Sequence, residues 1–251
     1  MKTLVLFFFL FASVVHSREI GQTEITTEEG IEVFKTEKYY LLKKNVEIIS
    51  DEFELKADLV KAHFNKDLYD ITEIFAEGKA SLNSSKGIKA SGERIDFNII
   101  NEDLKIFGKD SLLINNEMSM KSDGSVKINN LTGEFKINGS NSKLKSNEIN
   151  ISGYSIEGKF AKIEMANEVE KLDVKDKIQV NIKTETLDMY ALRAKYDKKN
   201  NIIELFDNVK ILRDNESISG DYAKINTLTE SYKVTSKKSE KVKVLLNKTN
   251  E

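Results

Sequence analysis

His63 is the only histidine beyond residue 17, and the chain contains no cysteine. A zinc centre needs several His, Cys or carboxylate ligands together, and a Ser-His-Asp relay needs a histidine with partners in reach. One isolated imidazole offers neither. Carboxylates are plentiful, and a facing pair could hydrolyse a glycoside. Here they fall at alternating positions such as Glu52, Glu54 and Asp58, the pattern of a solvated strand face. Gly133 to Gly139 is turn-like and lacks the Lys-Ser or Lys-Thr that completes a phosphate-cradling loop. Asn83-Ser84-Ser85 and Asn150-Ile151-Ser152 match glycosylation sequons, a chance match in an Asn-rich chain. Of 39 basic residues only Arg18, Arg94, Arg193 and Arg213 are arginines, and no run concentrates them. Base and phosphate recognition lean on Arg forks. The expectation is no enzyme, no cofactor, no metal and no nucleic acid partner.

What must position side chains here is a set of strands. Phe53, Leu55 and Ala57 alternate with Glu54, Lys56 and Asp58, and the same period of two returns at Ile95/Phe97, Leu104/Ile106 and Val126/Ile128. Phe135/Ile137, Ile149/Ile151, Ile178-Val180-Ile182, Val209/Ile211 and Val242/Val244 repeat it. Such alternation marks strands with one buried and one wet face. Asn65-Lys66-Asp67, Asn115-Asn116, Ser122-Asp123-Gly124, Asn138-Gly139-Ser140 and Lys198-Lys199-Asn200-Asn201 have turn chemistry at the spacing of antiparallel folds. Residues 167–177 alone could pass as a helix, and Val169, Leu172 and Val174 fit one poorly. The fold class is all-β.

The first seventeen residues differ from the rest. Lys2 precedes an apolar run from Leu4 to Val15, and Val15-His16-Ser17 ends it. This reads as a secretory signal, with a run too short to span a bilayer comfortably. The expected organisation is a signal peptide over 1–17, a flexible segment over 18–30, one β domain over 31–246 and a tail over 247–251. Without cysteine an exported chain has no disulfides, and it lacks the acylated residue of a lipoprotein.

The chain also repeats itself. Residues 39–61 align without a gap onto 202–224, so that Leu42, Asn45, Val46, Ile48 and Asp51 meet Leu205, Asn208, Val209, Ile211 and Asp214. Gly92 to Asn98 echoes Gly220 to Asn226. The unit is strand, polar turn, strand, then Asn-Val or Gly-Lys opening the next strand, as units that bury a face only by stacking on neighbours.

Asn45-Val46-Glu47-Ile48, Ala57-Asp58, Ala76-Glu77-Gly78-Lys79-Ala80 and Asn208-Val209-Lys210-Ile211 resemble the repeated strand openings of one family, and Ile218 to Val234 is similar to its closing motif. That family is the LptA/OstA-like periplasmic lipopolysaccharide-transport proteins. The resemblance covers residues 31–82 and 190–246 and is faint between them. It implies a twisted, half-open β-jellyroll, a rolled antiparallel sheet of repeated hairpins whose interior holds lipid A acyl chains. It also implies a periplasmic location and end-to-end joining of protomers. Partners would be lipopolysaccharide and LptC-like inner-membrane and LptD-like outer-membrane proteins.

On that reading the inner, lipid-facing stripe is Val46, Ile48, Phe53, Leu55, Phe64, Ile95, Phe97, Leu104, Ile106, Met118, Met120, Phe135, Ile137, Leu205, Val209, Ile211, Ile225 and Val234. The assembly edges are Ile31 and Val33 at one end and Val242 and Val244 at the other. Alternatives are an LptC-like component anchored by its N-terminal run, a structural β-solenoid with a dry core, and, remotely, an envelope-polysaccharide enzyme.

Overall fold

The structure is a computed structural model and describes residues 19–66, 70–115, 118–161, 168–213, 216–237 and 241–246. The expected signal over 1–17 and the expected tail over 247–251 lie outside the described residues. Eighteen strands form one antiparallel meander. β1 (Glu24–Thr26) and β2 (Ile31–Phe34) lie end to end against β3 (Tyr39–Ile49), followed by β4 (Phe53–Phe64), β5 (Ile71–Ser84) and β6 (Ile88–Asn98). β7 (Asp103–Phe107) and β8 (Ser111–Asn115) share the next rung; β9 (Met118–Ser122) and β10 (Ser125–Asn129) share the one after. Then come β11 (Glu134–Lys145), β12 (Asn150–Phe160), β13 (Val169–Lys183), β14 (Asp188–Asp197), β15 (Ile202–Arg213) and β16 (Glu216–Asn226). β17 (Ser231–Thr235) and β18 (Lys243–Leu246) close the meander on β16. The sequence repeat maps onto equivalent hairpins: residues 39–61 lie in β3–β4, and 202–224 lie in β15–β16.

Most long strands break register in the middle: at Lys43/Val46 in β3, Glu77/Ala80 in β5, Asn138/Ser142 in β11 and Phe206/Val209 in β15. Three of these breaks carry adjacent left-handed residues: Lys44 and Asn45 (φ 64° and 48°), Gly78 and Lys79 (79° and 48°), Asp207 and Asn208 (60° and 52°). Bulges of this kind bend and twist a strand. The Asn-Val and Gly-Lys motifs therefore sit at mid-strand corners, not at strand openings. Asn138-Gly139-Ser140 is likewise a corner within β11, and Ser122-Asp123-Gly124 a corner between β9 and β10. Residues 169–183 form β13 rather than any helix.

The corners fold the sheet onto itself. Tyr232 pairs with Ile225, nine residues along β16 from Glu216, or ~30 Å in a straight strand. Yet the Tyr232 hydroxyl donates to Glu216 Oε2 at 2.7 Å. Arg213, in register with Glu216, reaches Glu230 in the turn at the far end of β16 at 2.7 Å. Burial agrees: no helix covers the sheet among the described residues, yet its inner side chains are almost wholly buried. The two half-sheets cover each other, and turns from opposite strand ends meet along a mouth.

Such folding needs small residues at the crease. Gly139 has φ +127°, and a Cβ there would meet Gly124 Cα and N at 2.8 Å. Gly139→Ala should cost about 3 kcal/mol, combining backbone strain with a clash that backbone cannot relieve. Gly30 (φ +92°) has nothing within 4 Å of its would-be Cβ, so Gly30→Ala should cost about 1 kcal/mol. Urea midpoints measure both; equal shifts would rule out the packed crease.

Candidate functional site: an apolar interior and its mouth

The inner face follows the strand alternation. Val46, Ile48, Leu55, Ile95, Leu104, Ile106, Met118, Met120, Phe135, Ile137, Leu205, Val209, Ile211 and Ile225 are buried in one continuous apolar cluster. Phe53, Phe97 and Val234 are partly buried against that cluster. Phe64 is buried too, its ring tilted on Tyr40 at 5.2 Å between centroids. The stripe was incomplete between β11 and β14, where Leu144, Ile156, Val174, Ile182 and Met189 are just as buried. Alternation at Ile149/Ile151 signalled this region. Ile178 departs from the expected alternation: the shift between Lys175 and Val180 turns it outward, 88% exposed, while Val180 and Ile182 stay inside.

The outer face carries the charges. Lys136 meets Glu157 at 2.6 Å, and Arg193 donates twice to Asp173. Burial pushes the Asp173 carboxyl up, but the hydrogen bonds and charge of Arg193 outweigh it and hold it below the usual range. His63, the only histidine beyond residue 17, stands between the rings of Tyr39 and Phe75, and burial lowers its pKa. Among the described residues no group of His, Cys, Asp and Glu is placed to hold a metal ion.

Tyr222 donates to Glu204 at 2.5 Å, and this bond pushes the phenol up to about 12. A folded-state pKa above the unfolded value of 10.0 gives stability that is intact below pH 10. That stability fades as pH rises from 10 towards about 12. Tyr222→Phe should flatten this alkaline fall in a plot of unfolding midpoint against pH; an unaltered fall would rule the bond out as its source.

Along the mouth the two halves of the sheet differ. Over β4–β7 several inward residues nearest the lips are only partly buried: Phe53, Leu82 and Ile88 on one lip, Ile71 and Phe97 on the other, beside buried Phe64 and Leu104. Over β11–β16 Leu144, Ile149 and Leu187 on one lip, and Phe160, Ile203 and Ile225 on the other, are buried, with Tyr196 between Leu172 and Ile203 partly so. Polar contacts cross the mouth there. Lys198 Nζ reaches across to Glu148 at 3.1 Å and along its own lip to Glu168 at 3.3 Å, and Arg213–Glu230 and Tyr232–Glu216 also cross. Burial draws the Lys198 ammonium down, but its bonds to Glu148 and Glu168 hold it above its ordinary value.

Residues 116–231 match the family model for the LptA/(LptD N-terminal domain) LPS transport protein. The match takes in residues 190–231 of the second stretch of resemblance and much of the middle where the likeness is faint, but not residues 31–82. Among solved structures, the chain is matched to LptH of Pseudomonas aeruginosa. That protein is the LptA-homologous periplasmic component of its lipopolysaccharide transport device. The match has 7% identity, covers 90% of this chain and 96% of that one, and has a TM-score of 0.23. No curated protein matches the sequence. Over residues 116–231 the chain is thus similar to the LptA/LptD N-terminal family, whose members are non-enzymatic lipopolysaccharide-transport proteins.

Proposed function

We propose that the protein carries lipopolysaccharide across the periplasm, holding lipid A acyl chains on the inner face of the folded sheet. The observation that carries this reading is the continuous apolar cluster running from β3 to β16, in which Ser111, Ser122, Ser142 and Ser146 are the only buried polar residues among those described, in a chain whose residues 116–231 match this family. At ~0.8 kcal/mol per CH₂, exposing a twelve-carbon chain to water costs on the order of 10 kcal/mol. A largely apolar path removes most of that barrier without ATP of its own. LptC-like and LptD-like proteins would meet the two ends of the sheet, and the signal over residues 1–17 would deliver the chain to the periplasm.

The test is a photo-crosslinking amino acid placed in cells at Phe97, which lines the mouth, or at Lys105, which points outward one strand away. Phe97 should form lipopolysaccharide adducts and Lys105 should not. Intact mass of the same purified protein should lack residues 1–17. Absent adducts at Phe97, or equal adducts at both sites, would overturn the carrier reading. A retained segment 1–17 would favour a membrane-anchored, LptC-like component.

A further inference from the structure

We infer that the mouth is divided into an open slit over β4–β7, which admits acyl chains sideways, and a polar-latched seam over β11–β17, which must part for chains to move on. The inference rests on the carrier reading and adds where and how chains pass. In the N-terminal half both lips present apolar side chains that point inward yet remain partly exposed: Phe53, Leu82 and Ile88 face Ile71 and Phe97. These side chains pack against the same cluster that fills the interior, so a chain lying between the lips is already continuous with the buried path. Charged residues alternate with them on the outer surface, Glu54 beside Phe53 and Asp96 beside Phe97. The occupant that fits an apolar slit with a wet, charged rim is an amphiphile, with its chains inside and its headgroup outside.

In the C-terminal half the lips are drawn together by Glu148–Lys198, Arg213–Glu230 and Tyr232–Glu216. At these contacts lies a cavity of about 440 Å³ that Ile149, Leu187, Met189 and Ile225 line together with polar residues of both lips. Its lining includes Glu148, Lys198 and Glu230, three of the latch residues themselves. There is room at the latch for the end of a chain, and the latch bars sideways access to it. Partly exposed ion pairs are individually weak and are screened by salt. The seam can therefore open without unfolding the sheet, while the half-sheets stay joined at their corners.

The chain has no cysteine, so paired cysteines can be placed without interference. The test uses full-length protein carrying Glu148→Cys and Lys198→Cys, with a photo-crosslinking residue at Phe97 or at Leu187, and purified lipopolysaccharide as probe. Each preparation is compared before and after a short bifunctional thiol reagent bridges the cysteines. The unbridged protein is thus its own folding control. Bridging should leave Phe97 adducts unchanged and lower Leu187 adducts at least tenfold. In a separate variant, Lys198→Ala with Arg213→Ala should raise the rate of Leu187 adducts severalfold over the unaltered latch, with the circular dichroism of the sheet retained. Equal loss at both positions, or no loss at Leu187, would overturn the divided mouth while leaving the carrier intact. No adduct at either position in any form would remove the carrier reading and this inference with it.

Discussion

Ile211→Asp is expected to destabilise the protein by at least ~4 kcal/mol, a large share of the 5–15 kcal/mol typical of a folded domain. Ile211 is 1% exposed in the middle of the sheet, opposite Met189 on β14 and Ile218 on β16. A carboxylate there would have no partner among the apolar side chains around it, and burying an unpaired charge is among the costliest substitutions. Lys210, one residue earlier, points to the opposite face, between Tyr190 and Ser219. Lys210→Asp should change stability by no more than ~0.5 kcal/mol, as surface substitutions usually do. Denaturation midpoints for the two variants measure the register of β15 directly. If both midpoints moved alike, the assignment of Ile211 to the interior would be wrong, and with it the path along which acyl chains are proposed to travel.

The alternation that places Ile211 inside was legible because a pleated strand has a period of two and the core has one side. Wherever the strand runs straight, as at Leu104/Ile106 or Phe135/Ile137, the inner residues follow from sequence. The corners were not legible as corners. Asn45, Asn208 and Gly139 are residues that tolerate left-handed backbone, and the same residues make hairpin turns, so composition cannot tell a bend from a reversal. The spacing holds a clue: Leu42 and Val46, Ala76 and Ala80, Leu205 and Val209 are buried four residues apart, with Lys44, Gly78 or Asp207 between them at the inward parity. A polar or glycine residue that interrupts the stripe without ending it marks a crease. Ile178 shows the opposite failure, since the shift before Val180 inserts residues that no periodicity announces.

The mouth was beyond sequence altogether. Glu148 and Lys198 are separated by fifty residues, and Glu216 and Tyr232 lie at opposite ends of one hairpin. Nothing in local pattern pairs them; only the fold-over at the corners brings them within hydrogen-bond distance. The contrast between partly exposed Phe53, Leu82 and Phe97 and buried Leu144, Leu187 and Ile225 is also a property of the folded sheet, because all six satisfy the same alternation.

Concentration-dependent chains of protomers, lost when β18 is removed, are the second large effect expected. β1 and β2 pair only with β3, and β17 and β18 only with β16, so each end of the meander carries a backbone edge without a sheet partner among the described residues. These edges are apolar and exposed: Ile31 and Val33 on β2, Val244 and Leu245 on β18, and Val242 just before β18 rather than within it. Soluble proteins usually blunt such edges with proline, bulges or inward charges, and this chain has no proline. Pairing the β18 edge of one molecule with the β2 edge of another would satisfy both by strand addition and carry the apolar interior from one protomer to the next. Truncation after Ser239 deletes β18 and should leave a folded monomer at concentrations where the full chain associates. Because truncation also bares the first half of β16, a second variant guards the conclusion. Ile31→Lys with Val33→Lys charges the opposite edge, leaves every existing rung in place and should abolish association equally. Light scattering across a concentration series reads all three proteins. A full chain that stays monomeric throughout, or association that survives both changes, would leave a carrier that works as a single protomer.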